Sequence, residues 1–176
     1  MRGRWLAGLL LGLGLAGAAQ AAGGDAVGRP PAESPLARSA GQFGVQLVLT
    51  PDAAAFVRAW NDARTAAPQL PTTGTVRRGG AVSAMLVFHG CAANARGMCD
   101  MVVAYTLTTP GGQKLQTGSG VVWSAPVPSG RLQLGRRSAT MRFEAVDAPG
   151  TYQVGALVTD RVSGRKLALV VPLRVE

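Results

Sequence analysis

The chain has 176 residues, 24 of them glycine and 11 proline, and 47% of it is hydrophobic, which fits one globular domain rather than a fibrous or disordered polymer. Its formal charge is +9, and with a single histidine and two cysteines it is poorly supplied for a histidine-rich zinc site. A domain of this size buries a core without depending on cross-links.

The first 21 residues read as a secretory signal peptide. Arg2 and Arg4 give a basic start, Trp5 to Gly17 is apolar, and Ala19-Gln20-Ala21 fits the small-x-small cleavage pattern. The apolar part is shorter than the roughly 20 residues needed to cross a bilayer. No later stretch is long and apolar enough to span one, so the expected chain is periplasmic or secreted, with no transmembrane segment after cleavage. Ala22 to Gln42 carries Gly23-Gly24, Pro30-Pro31 and Pro35 with little apolar periodicity, and reads as a flexible linker, 22–42. The folded domain is expected over 43–176.

Phe43, Val45, Leu47 and Leu49 alternate, giving a first strand. Thr50-Pro51-Asp52 resembles a helix start with Thr50 as N-cap, and Ala53, Phe56, Val57, Trp60 and Ala63 form one apolar stripe, predicting a helix over 51–66. Phe56 and Trp60 read as core anchors, with a ligand platform as the alternative. Val82 to His89 is apolar on both faces, as in a central strand covered on two sides. Strands are expected over Cys99 to Thr108 and Gln116 to Ser124, then a short one over Arg131 to Arg136 and another over Thr140 to Val146. The final run, Leu167, Leu169, Val171, Leu173 and Val175, alternates most cleanly. Pro172 has no N–H to donate, so this strand is expected at an edge or with that position unpaired.

Between the last two groups lies Asp147-Ala-Pro-Gly150-Thr-Tyr152, succeeded by Val154, Ala156 and Val158 on one face. Asp147-x-x-Gly150-x-Tyr152 resembles the tyrosine corner of immunoglobulin-like sandwiches, and Val154 stands where antibody domains carry their second cysteine. The resemblance implies a tyrosine hydroxyl bonded back to the turn backbone. About eight strands with closely spaced turns then predict a mainly β, antiparallel immunoglobulin-like β-sandwich with one short helix near the N-terminus.

Cys91 and Cys99 flank Ala92 to Met98 and, in an oxidising compartment, are expected to pair as a staple on one hairpin. A closed loop of about nine residues corresponds to about 2.6 kcal/mol on a chain-entropy basis. A sharper reading gathers His89, Met98 and Met101 with the cysteines as soft ligands for Cu(I), loosely similar to exported copper carriers with sandwich folds. Against it, the thiols consume each other and methionines beside strands usually pack. No cofactor is expected. A Ser-His-Asp site has only His89 to draw on and no Gly-x-Ser-x-Gly elbow. A carboxylate pair assembled in space, Asp100 with Glu144 for instance, stays open as an enzyme reading. Nothing resembles a phosphate loop or a base-stacking surface, so no nucleic-acid partner is expected.

Two arginine doublets, Arg77-Arg78 and Arg136-Arg137, fall at predicted turns and are candidates for one anion-binding patch facing an anionic envelope polymer. Solvated turn charges are the plainer reading. The expected role is an exported, non-catalytic binding or structural module of the bacterial cell envelope, taking a protein or envelope component through loops or a sheet edge.

Overall fold

The computed structural model describes Ser34 and residues 36–62, 69–128 and 132–176. The signal segment, the first part of the linker, the last four residues of the expected helix and Arg131 lie outside the described residues. The described chain is mainly β: β1 (Ala37–Ala40), β2 (Phe43–Thr50), helix α1 (Ala53–Asp62), β3 (Thr75–Val76), β4 (Ala81–His89), β5 (Met98–Thr108), β6 (Lys114–Pro126), β7 (Gln133–Leu134), β8 (Ala139–Arg142), β9 (Gly150–Asp160) and β10 (Lys166–Val175). No helix among the described residues is long and apolar enough to cross a membrane.

The strands form two five-stranded sheets. In the front sheet the order is β1-β2-β4-β7, with β8 also pairing β4; in the back sheet it is β3-β10-β9-β5-β6. Alternation decides which side chains meet between them. Phe43, Val45, Leu47 and Leu49 of β2 and Val82, Ala84, Leu86 and Phe88 of β4 join Met101, Val103 and Tyr105 of β5 in one buried cluster with β9 and β10. Each valine, leucine, phenylalanine or methionine among them, once buried, contributes about 1.5–3 kcal/mol relative to exposure. The β4 strand is buried from Val82 to Phe88, as its two-sided apolar run predicts.

One long side of the molecule is closed. The Gly135 N–H donates to Leu86 O of β4 at 2.7 Å and the Arg136 N–H donates to Val122 O of β6 at 3.0 Å, so two consecutive residues bond to both sheets. The opposite side is more open, because β3 covers only Arg174 and Val175 of β10, and it does so in parallel. That pairing departs from the wholly antiparallel expectation. A two-residue strand leaves too little periodicity for its direction to be read from sequence.

Several boundaries differ from expectation. The linker assigned to 22–42 includes β1, which pairs with β2 from Ala37↔Gln46 to Ala40↔Phe43 and buries Ala37. Backbone pairing to a strong neighbour overrides its weak pattern. The helix N-cap is Asp52 rather than Thr50: the Ala55 N–H donates to Asp52 Oδ1 at 2.8 Å. Thr50 still belongs to β2, opposite Ser83, and its hydroxyl oxygen accepts from the Asp52 N–H at 3.2 Å to turn the chain. The expected strand over Thr140 to Val146 stops at Arg142, since Asp147 Oδ2 accepts the Glu144 N–H at 2.7 Å and bends the chain. Val146 is consequently 87% exposed.

Candidate interaction surface

The cysteines pair, with Cα atoms 5.9 Å apart. The expectation of a hairpin staple is corrected, because β4 lies in the front sheet and β5 in the back sheet. The bond therefore ties the crossover between sheets. A second clamp holds the same loop. Asp160, fully buried, accepts from the Ala92 N–H at 2.9 Å and the Ser163 hydroxyl at 2.7 Å through Oδ2, and from the Val162 N–H at 3.0 Å through Oδ1. The contacts within 160–163 are those of a polar hairpin turn; the reach to Ala92 is a long-range contact without a local signal.

The soft-ligand candidates do not converge. On β4 the even-numbered side chains face the core, so His89 lies on the outside of the front sheet, where its ring packs over Gly44 and a Cβ would overlap it. On β5 the odd-numbered side chains face the core. Met101 is thus buried between the sheets, and Met98 points away from them on the far side. The three occupy three different layers. Burial pushes the His89 imidazole below its ordinary value, opposed by a backbone hydrogen bond with Gln42.

The arginine doublets do not form one patch. Arg77 and Arg78 line an open hollow of about 490 Å³ with Ala145 and Glu176, where Arg78 Nη1 donates to Ala145 O at 3.1 Å. Arg136 and Arg137 sit on the closed side, beside Leu86 and six residues along β4 from Gly80, roughly 20 Å away. Arg136 stacks 4.7 Å from the Trp123 ring centre, and the Arg137 side chain lies across Gly120. The Arg137 carbonyl accepts the Tyr105 hydroxyl at 2.8 Å; burial raises that phenol's pKa, partly offset by the Arg137 charge.

The carboxylates also separate. Asp100 lies at the start of β5, whereas Glu144 lies in the turn before Gly150, which packs beside Pro110 just beyond the end of β5. Eight or more residues of strand intervene, on the order of 25 Å, against the roughly 5–10 Å of a glycosidase pair. Among the described residues no group of three or more His, Cys, Asp or Glu side chains is assembled that could hold a metal ion. The Tyr152 hydroxyl donates to Ala148 O at 2.9 Å, the turn bond that the tyrosine-corner resemblance implies.

What sequence reasoning missed is the outer face of the back sheet. Register places Val121, Val102, Thr159 and Lys166 in one row across it, and Ser119, Ala104, Leu157 and Ala168 in the next. Beyond these come Thr106, Gly155 and Val170, then Lys114, Thr108, Gln153 and Pro172. Val121 is 49% exposed, Leu157 45% and Val170 43%. A shallow groove of about 310 Å³ runs between Val102, Val121 and Leu157 and ends at Arg161. The signal was present as apolar residues at the off-core positions of β9 and β10, where a solvated face calls for polar ones.

No protein-family model matches the chain, and no curated protein matches it. Among solved structures, a family 123 glycoside hydrolase from Clostridium perfringens is 8% identical with a TM-score of 0.43, over 75% of this chain and 27% of that one. A Niemann-Pick type C2 protein from Japanese carpenter ant is 5% identical, TM-score 0.41, over 74% of this chain and 89% of that one. The CARDB domain of the PF1109 protein from Pyrococcus furiosus is 8% identical, TM-score 0.41, over 78% of this chain and 97% of that one.

Proposed function

We propose that the protein is an exported, non-catalytic binding module of the bacterial cell envelope, built as an immunoglobulin-like sandwich and taking its partner on the outer face of the back sheet. The observation that carries the reading is the solvent-facing apolar centre around Val102, Val121, Leu157 and Val170, on a sheet whose other face is a closed core. The topology supports the fold assignment. The order β2-β4-β8 matches strands A-B-E of such domains, and β10-β9-β5 matches G-F-C. Tyr152 then sits near the start of the F strand, after the corner that succeeds E, with its hydroxyl on Ala148 O. The separation of Asp100 from Glu144, and of His89 from Met101, favours binding over either the hydrolytic or the copper reading.

The test is a photo-crosslinking residue placed in the full-length chain, expressed with its own signal, at Leu157 or at Val170. Adducts with an envelope component are expected from both positions, and none from a control at Arg142 on the outside of the front sheet. Adducts from Arg142 alone, or a chain retained in the cytoplasm, would overturn the reading.

A further inference from the structure

The chemistry of this face, resting on the reading above, points to a particular partner. Its apolar centre is framed by cations. Lys166 ends the row through Val102, Lys114 ends the row through Thr108, Arg174 lies opposite Thr151, and Arg161 closes the groove beyond Thr159. The two acids near this frame are both engaged by arginines: Asp100 with Arg161 at 3.7 Å and Glu176 with Arg174 at 3.3 Å. Among the described residues neither Lys114 nor Lys166 makes an ion pair. A sheet face of this kind is apolar in the middle and carries uncompensated positive charge at its margins.

We infer that the back sheet docks on an acidic lipid bilayer surface, with Leu157, Val121 and Val170 against the acyl boundary and Lys114, Lys166, Arg161 and Arg174 among anionic headgroups. The charge pattern favours this occupant. Long cationic side chains bury their methylene stems on apolar surface while their heads stay at the headgroup level. Each cation near an acidic leaflet adds about fivefold to partitioning, and salt screens the attraction. Lysine is depleted at protein–protein interfaces relative to the rest of the surface, and this face presents two lysines with no ion pair among the described residues.

The experiment is co-sedimentation of the exported, full mature chain with vesicles of phosphatidylethanolamine and phosphatidylglycerol, against vesicles of phosphatidylcholine alone. Binding is expected only to the acidic vesicles and should weaken as salt rises. The double variant Lys114→Glu/Lys166→Glu should lose about 30-fold or more, and Leu157→Gln about 10-fold. Thr140→Glu/Arg142→Glu, which places two acids on the outside of the front sheet, should change little; thermal melting of each variant reports that it is folded. Equal binding to both vesicle types, or equal loss from both double variants, overturns the proposal. If vesicles do not bind but crosslinks from Leu157 to an envelope protein persist, the lipid assignment falls and the binding-module reading stands. If both fail, both fall.

Discussion

His89 shows how the packing of a single residue gives the fold a pH response. Its ring lies over Gly44, where the lack of a Cβ makes room, and its Nε2 is buried without a hydrogen-bond partner among the described residues. A protonated imidazole would need a second acceptor at that nitrogen, so burial favours the neutral form and depresses the folded-state pKa. The unfolded chain then binds the proton more readily than the folded one. The stabilisation is present in full above the unfolded value of 6.5 and is lost as pH falls through the lower folded value. Urea midpoints measured from about pH 8 to about pH 5 should fall for the wild type, and the His89→Gln variant should be flatter over that window. An identical decline in both would assign the response to other groups. That His89 is the one histidine of the chain was legible in composition; that it would rest on Gly44 was not, because the register of β2 against β4 fixes it.

At the scale of elements, the chain's periodicities located most strands, and the cleanest alternating run became β10. Their grouping into sheets was not legible. Alternation tells which residues share a face, but it does not say whether consecutive strands pair or cross over. For that reason a hairpin closed by Cys91–Cys99 and a crossover tied by it look alike in sequence, and the structure has the crossover. The same blindness hid the bond from Ala92 to Asp160, 68 residues apart in sequence. Two clamps on one crossover make a sharp expectation. Replacing both cysteines by serine should cost about 2.6 kcal/mol. Asp160→Ala removes a buried acceptor of several hydrogen bonds and should cost roughly 2–3 kcal/mol. Because both hold the 91–99 loop, the triple variant should lose less than the sum, by about 0.5 kcal/mol or more, in a urea-denaturation cycle. Strict additivity would show that the loop is held independently by each.

The whole molecule is asymmetric: closed along one side by Gly135 and Arg136, and open along the other where β3 gives out. Arg174 donates its N–H to Gly74 O, so by the two-residue repeat of a strand Pro172, Val170, Ala168 and Lys166 also direct their backbone groups to that open side. The expectation that Pro172 sits at an unpaired position holds for this geometric reason: its missing N–H falls on the side where no described strand pairs with β10 before Arg174. An open strand bearing a proline and a lysine is shielded against addition of a second copy, since one removes a donor and the other keeps the margin charged. Pro172→Thr restores the donor at a position where a β-branched residue suits the strand. The variant should self-associate more than the wild type at equal concentration, read as an increased weight-average mass by sedimentation equilibrium, and adding Lys166→Thr should increase it further. If neither change raises the mass while both variants stay folded, the margin of β10 is covered by another part of the chain.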